Sequence, residues 1–135
     1  MAEELSLDVE LPAAVASLGV GWFEYGLVER AYAHRRPADF ARLVAQWGHT
    51  AQSPRQYSVS SYLAGTLGRL SRLGKVAYHD GPGTGRWSYN TDISWWSLVP
   101  PAPWERRTAW VDVIGDHDPA AQQLDAACRA YVPGC

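Results

Sequence analysis

Four histidines, two cysteines and one short acidic run are the residues whose types could do covalent or metal chemistry. His34, His49, His79 and His117 are scattered, each beside polar or charged neighbours. A nucleophilic serine or cysteine needs an oriented base within reach. No G-x-S-x-G, H-E-x-x-H or paired-carboxylate spacing occurs. The run DVIGDHD offers Asp112, Asp116, His117 and Asp118 as ligand types. Calcium and magnesium, however, need oxygens converging from a defined loop, and zinc prefers more His and Cys. Asp118, just before Pro119, already has a sufficient role as a helix cap. Cys128 and Cys135 are too few for a four-cysteine zinc site, and in a reducing compartment two thiols are read simply as thiols. GPGTG, residues 81–85, lacks the lysine and helix start of a phosphate-cradling loop, and reads as a hairpin turn. The expectation is therefore no enzyme, no metal and no cofactor.

Charge gives a different signal. The chain is near neutral, with a formal net charge of −2, but its charges are segregated. Residues 1–20 hold four acids and no base. Residues 51–90 hold Arg55, Arg69, Arg72, Lys75 and Arg86 against Asp80 alone, a local excess of +4. Acids dominate again from residue 104 onward. A basic middle between acidic ends suits a phosphate-facing surface on an otherwise neutral protein; the plain alternative is chance clustering. An acidic N-terminus without an apolar stretch is the opposite of an export signal, and no apolar run approaches the roughly 18 residues that span a bilayer. The expected compartment is the cytoplasm, without membrane contact.

The elements that must position these charges follow from periodicity. Pro12 is expected to start a short helix ended by Gly19. GWFEYGLVERAYAHR places Phe23, Leu27 and Ala31 on one helical face, with Glu29 and Arg30 off it. PADFARLVAQWG has Phe40, Leu43, Val44 and Trp47 at i, i+3, i+4 and i+7, and Gly48 as a stop. After the polar loop HTAQSPRQYS, Ser58 is a good N-cap for a helix carrying Val59, Leu63, Leu67, Leu70 and Leu73 on one face. Its other face shows Ser60, Ser61, Ala64, Gly65, Arg69 and Arg72, and Gly74 ends it. The period then changes to alternation: KVAYHD and RWSYN read as the two strands of a hairpin, with TDISWWSLV as a further strand. WERRTAWVDVI is ambiguous between strand and helix. Asp118 then caps a helix, PAAQQLDAACRAYV, whose face carries Leu124, Cys128 and Tyr131. Four of the seven tryptophans fall within residues 87–104, which marks an aromatic packing surface inside the molecule or between subunits.

Three helices followed at once by a hairpin, with Leu63, Leu67 and Leu70, the insertions Arg69 and Arg72, and Leu73-Gly74-Lys75-Val76 leading into the hairpin, resemble bacterial winged helix-turn-helix regulators. The resemblance covers residues 22–98 and reaches the superfamily, not a named family. It implies an α+β fold with a three-helix core and a β-hairpin wing. Residues 1–21 form an acidic N-terminal extension, and residues 99–135 a proline-rich connector with a C-terminal helix. It further implies a transcriptional regulator that binds double-stranded DNA as a homodimer, using the helix 58–73 and the wing 76–90. Ser60, Ser61, Tyr62 and Thr66 would face the major groove, Arg55, Arg69, Arg72 and Lys75 would face phosphates, and Arg86 the flanking minor groove. The loop before the third helix is longer than the usual tight turn, and the wing has little positive charge beyond Arg86. The competing readings of the same residues are a solvated face for Arg69 and Arg72, a loop cap for Arg55 and a core position for Tyr62. The competing function is a winged-helix adaptor that contacts another protein; a third, weaker one is a small-molecule sensor using the tryptophan cluster. The tail is a candidate for dimer contact.

Overall fold

Leu7, Leu11, Ala14 and Val15 recur at i, i+4, i+7 and i+8, and that stripe makes α1 (Leu7–Ser17) a buried helix. The computed structural model describes residues 5–48, 58–83 and 92–113. Pro12 lies inside α1 instead of opening it, because burying Leu7 and Leu11 gains more than the proline's missing N–H loses. The apolar residues of this acidic segment share one core with the helices that follow.

Residues 22–24 also depart from the helical expectation. Trp22–Glu24 is a three-residue strand, β1, and the helix α2 begins only at Tyr25 and runs to Arg35. The buried residues of α2 are Tyr25, Gly26, Leu27, Val28, Glu29 and Tyr32, with Ala31 half-buried. Pro37 occupies the first turn of α3 (Pro37–Trp47), and Gly48, at φ 85°, ends it. Gly48 accepts a hydrogen bond at 2.8 Å from the amide of Val59, which brings the end of α3 to the start of α4 (Val59–Arg72). Ser58 caps α4 as expected, accepting from the Ser61 amide at 3.2 Å. Val59, Leu63, Leu67 and Leu70 are buried. Leu73 is not; it lies past the last turn and is 59% exposed. Gly74, at φ 76°, lets the chain reverse, and the Lys75 amide closes the helix end on the Leu70 carbonyl at 2.9 Å.

The strand β2 (Ala77–Pro82) pairs antiparallel with β3 (Asp92–Ser97) from Ala77↔Ser97 to Pro82↔Asp92. The return strand of the hairpin is thus the DISWWS segment; RWSYN and the Thr-Gly end of the expected turn fall outside the described residues. Strand β3 pairs antiparallel with β1, and β1 pairs parallel with β4 (Arg107–Thr108) in the order β2-β3-β1-β4. The ambiguous segment resolves into β4 and the single turn α5 (Trp110–Val113). The described residues therefore form an α+β fold of five helices and a four-stranded mixed sheet. Successive side chains on a strand face opposite ways, so Phe23 and Trp96 enter the main core while Trp22 and Trp95 build a second one behind the sheet. Among the described helices, none is long and apolar enough to cross a membrane.

The leucine ridge of α4 sets a first test. Leu67→Ala, at a site with no exposure, is expected to cost about 2–5 kcal/mol in urea unfolding, whereas Leu73→Ala is expected to stay within about 0.5 kcal/mol. Equal costs would contradict the observed orientation of the helix.

Candidate nucleic-acid interface

The helix α4 presents two unlike sides. Its outward stripe is Ser61, Gly65, Gly68 and Arg72, at i, i+4, i+7 and i+11; Ser61, Gly65 and Arg72 are exposed and Gly68 half-buried. A Cβ at Gly65 would meet nothing within 4 Å, and one at Gly68 would meet only the tip of Arg72, at 3.8 Å. No packing among the described residues therefore requires either glycine, although each costs a helix up to about 1 kcal/mol relative to alanine. Lys75 follows the stripe and is exposed. Among the described residues, no carboxylate lies within 4 Å of Arg72 or Lys75.

Of the other residues expected at this surface, Thr66, Tyr62 and Ser60 have internal partners. Thr66 is buried, 7% exposed, and donates its hydroxyl to the Tyr62 carbonyl at 2.9 Å; it lies on the leucine side, not the solvent-facing front. Tyr62 is half-buried with its ring 4.7 Å from that of Trp47, so it belongs to the edge of the core. The Ser60 hydroxyl donates to Glu29 at 2.9 Å. Ser61 is exposed, but its hydroxyl also lies 3.1 Å from that of Ser58. Arg69 is held by Asp8 of α1, with contacts of 2.6 and 3.4 Å. Its guanidinium hydrogen bond draws the Asp8 carboxyl below the usual aspartate range against the opposing effect of desolvation, and Lys75 adds to the lowering. Both partners are solvent-exposed, so the pair is screened and weak. Arg55 and Arg86 fall outside the described residues, as do the cysteines, Asp116, His117 and Asp118. Asp112 accepts the Ala109 amide at 2.9 Å, at the start of α5.

Three buried carboxyls were not expected: Glu29, Glu24 and Glu10. Glu29, 1% exposed, accepts from the Tyr25 hydroxyl at 2.9 Å as well as from Ser60. Burial, reinforced by the Glu29 carboxyl, pushes the Tyr25 hydroxyl well above its ordinary range. Glu24, fully buried, accepts the Trp110 amide at 2.8 Å and so holds α5 against β1. The signal for Glu29 was its i+4 spacing from Tyr25 on the face that ends at Tyr32. Glu24 had no such signal.

The tryptophans form no open cradle in the described structure. The ring of Trp104 stacks on His79 at 3.8 Å and 10°, and meets Trp22 and Trp95 edge-on at 5.9 and 5.1 Å. The Trp22 indole donates to the Ala102 carbonyl at 2.6 Å, and the Trp95 indole to the Pro82 carbonyl at 3.3 Å. Gly81 is needed here, since a Cβ would stand 2.8 Å from the Trp95 indole nitrogen and 3.1 Å from Trp104. These rings pack on one another. No family model, curated protein or solved structure matches the chain.

Glu10 supplies a pH test. Buried in α1, it pairs with Arg36 at 2.8 Å and Arg35 at 3.3 Å, and the Arg36 hydrogen bond holds its carboxyl low against the opposing effect of desolvation. A carboxyl whose folded pKa lies below its unfolded value stabilises the fold above the unfolded value, and loses that contribution as pH falls through the folded one. Unfolding free energy is expected to decline as pH drops below the ordinary 4.5, with a shallower decline in Glu10→Gln. An unchanged acid slope in that variant would contradict the assignment.

Proposed function

We propose that the chain is a cytoplasmic winged helix-turn-helix protein that binds duplex DNA, a transcriptional regulator acting as a homodimer. The observation that carries this reading is the outer stripe of α4, with small residues along its length and, at its end and just beyond, Arg72 and Lys75, which have no carboxylate partner among the described residues. An α-helix fits the major groove, and α4, at about 21 Å for its 14 residues, is long enough to lie along it. Side chains no larger than serine at 61, 65 and 68 permit close backbone approach, while Arg72 and Lys75 reach phosphates on the flank. The connectivity supports the same reading: the first strand pairs with the return strand of a hairpin that directly follows the third of three consecutive helices.

A second reading, a winged-helix adaptor that contacts protein instead of DNA, is favoured by one observation. Asp8 already neutralises Arg69, in a chain whose net charge is −2. Fold alone does not choose between the two.

Fluorescence anisotropy with a random duplex at several salt concentrations separates them. DNA binding is expected to weaken steeply as salt rises. Arg72→Ala combined with Lys75→Ala should reduce the slope of log K against log salt by about 2, at about 0.9 for each phosphate no longer neutralised. Absence of binding even at low salt would leave the adaptor reading.

A further inference from the structure

A groove of about 590 Å³ opens between the end of α1, one side of α2 and the end of β4, and none of its lining residues belongs to α3 or α4. The side of α2 that faces it carries Leu27, Arg30, Ala31 and His34, at i, i+3, i+4 and i+7. With Leu18 just past α1 and Phe23 of β1, Leu27 and Ala31 make the floor apolar. Cations gather toward the C-terminal end of α2: Arg30, His34 and Arg35 line the groove, and no carboxylate does. Arg35 is engaged by Glu10 at 3.3 Å. Arg30 is half-buried and has no carboxylate within 4 Å among the described residues. A half-buried guanidinium beside an apolar floor gains most from an anion that brings its own apolar body.

We propose that this groove binds a small monocarboxylic acid with an apolar tail. Its carboxylate sits on Arg30 and accepts a ring N–H from His34, and its tail lies on Leu18, Phe23, Leu27 and Ala31. Size, length and charge converge on that class. The volume falls within the range of about 300–1,000 Å³ that encloses one small molecule. From Leu27 to His34 the helix rises about 10 Å, the extended length of an acid of about eight carbons. The groove meets the C-terminal ends of α1 and α2, whose partial negative charge disfavours a polyanion such as a phosphate. One carboxylate on one guanidinium suits that field. The site shares no residue with the outer stripe of α4, so acid binding and DNA binding stand or fall separately.

Amide chemical shifts of the full chain, followed as sodium octanoate is added, test the site. Signals of Leu18, Leu27, Ala31 and His34 are expected to move and saturate at or below about 1 mM, while those of α3 stay. Two controls need no variant. Octan-1-ol keeps the tail without the charge, acetate keeps the head alone, and each should bind about tenfold more weakly or worse. Arg30→Ala should weaken octanoate about tenfold or more, and Ala31→Phe, which adds a ring to the floor, should block it. Octan-1-ol binding as tightly as octanoate, shifts that avoid the groove, or a folded Arg30→Ala chain with unchanged affinity would overturn the proposal. Groove signals that move with protein concentration alone would assign the surface to a second copy and overturn it as well. So would pelleting with phosphatidylglycerol vesicles that Arg30→Ala abolishes, which assigns the groove to a membrane surface.

Discussion

A carboxyl group sealed from water fixes how α4 sits on the body. Burying such a group costs several kcal/mol unless hydrogen-bond donors surround it. Glu29 meets this requirement with the Tyr25 hydroxyl on its own helix and the Ser60 hydroxyl on the first turn of α4. Rotating α4 about its axis would withdraw Ser60 and take from the buried carboxyl one of its hydrogen-bond donors. It would also lift Leu63, Leu67 and Leu70 from the core. The polar bond and the apolar ridge thus specify one orientation, and that orientation sends Ser61, Gly65, Gly68 and Arg72 outward.

The sheet holds the other side of the molecule by a related economy. Strand β1 is only three residues long, all buried, yet it pairs with β3 on one edge and β4 on the other. Its length allows one alternation, which is enough to place Phe23 among the helices and Trp22 among the aromatic rings behind the sheet. The adjacent Trp95 and Trp96 divide in the same manner. The aromatic density of this region thereby becomes two packed layers, with the proline-rich segment supplying Ala102 and Trp104 as the outer cover. Glu24 closes the arrangement by holding α5 through the Trp110 amide.

Local rules made α3 and α4 legible in the sequence, because both have caps and an uninterrupted apolar period. Ser58, Gly48 and Gly74 each stand where helix-end chemistry places them. Strand β1 was not legible: Phe23 continues the helical spacing of Leu27 and Ala31, which do lie in α2, by coincidence, and three residues are too few to display a strand period. RWSYN and DISWWS both alternate, so the sequence did not single out DISWWS as the described partner of β2; RWSYN lies outside the described residues. Of the expected interface, Ser61, Arg72 and Lys75 are exposed, while Thr66 and Tyr62 turn inward because a 14-residue helix has more sides than two. The Asp8–Arg69 pair joins residues 61 positions apart, a contact that no local pattern encodes.

Whether the outer stripe of α4 meets DNA is tested most directly by amide chemical shifts, read as a duplex is added to the full chain. Perturbations are expected to concentrate at Ser61, Gly65, Gly68, Arg72 and Lys75, with Arg30 and His34 of α2 undisturbed. Saturating duplex that leaves α4 unchanged, or that shifts only signals around Trp104, would contradict a DNA-facing α4.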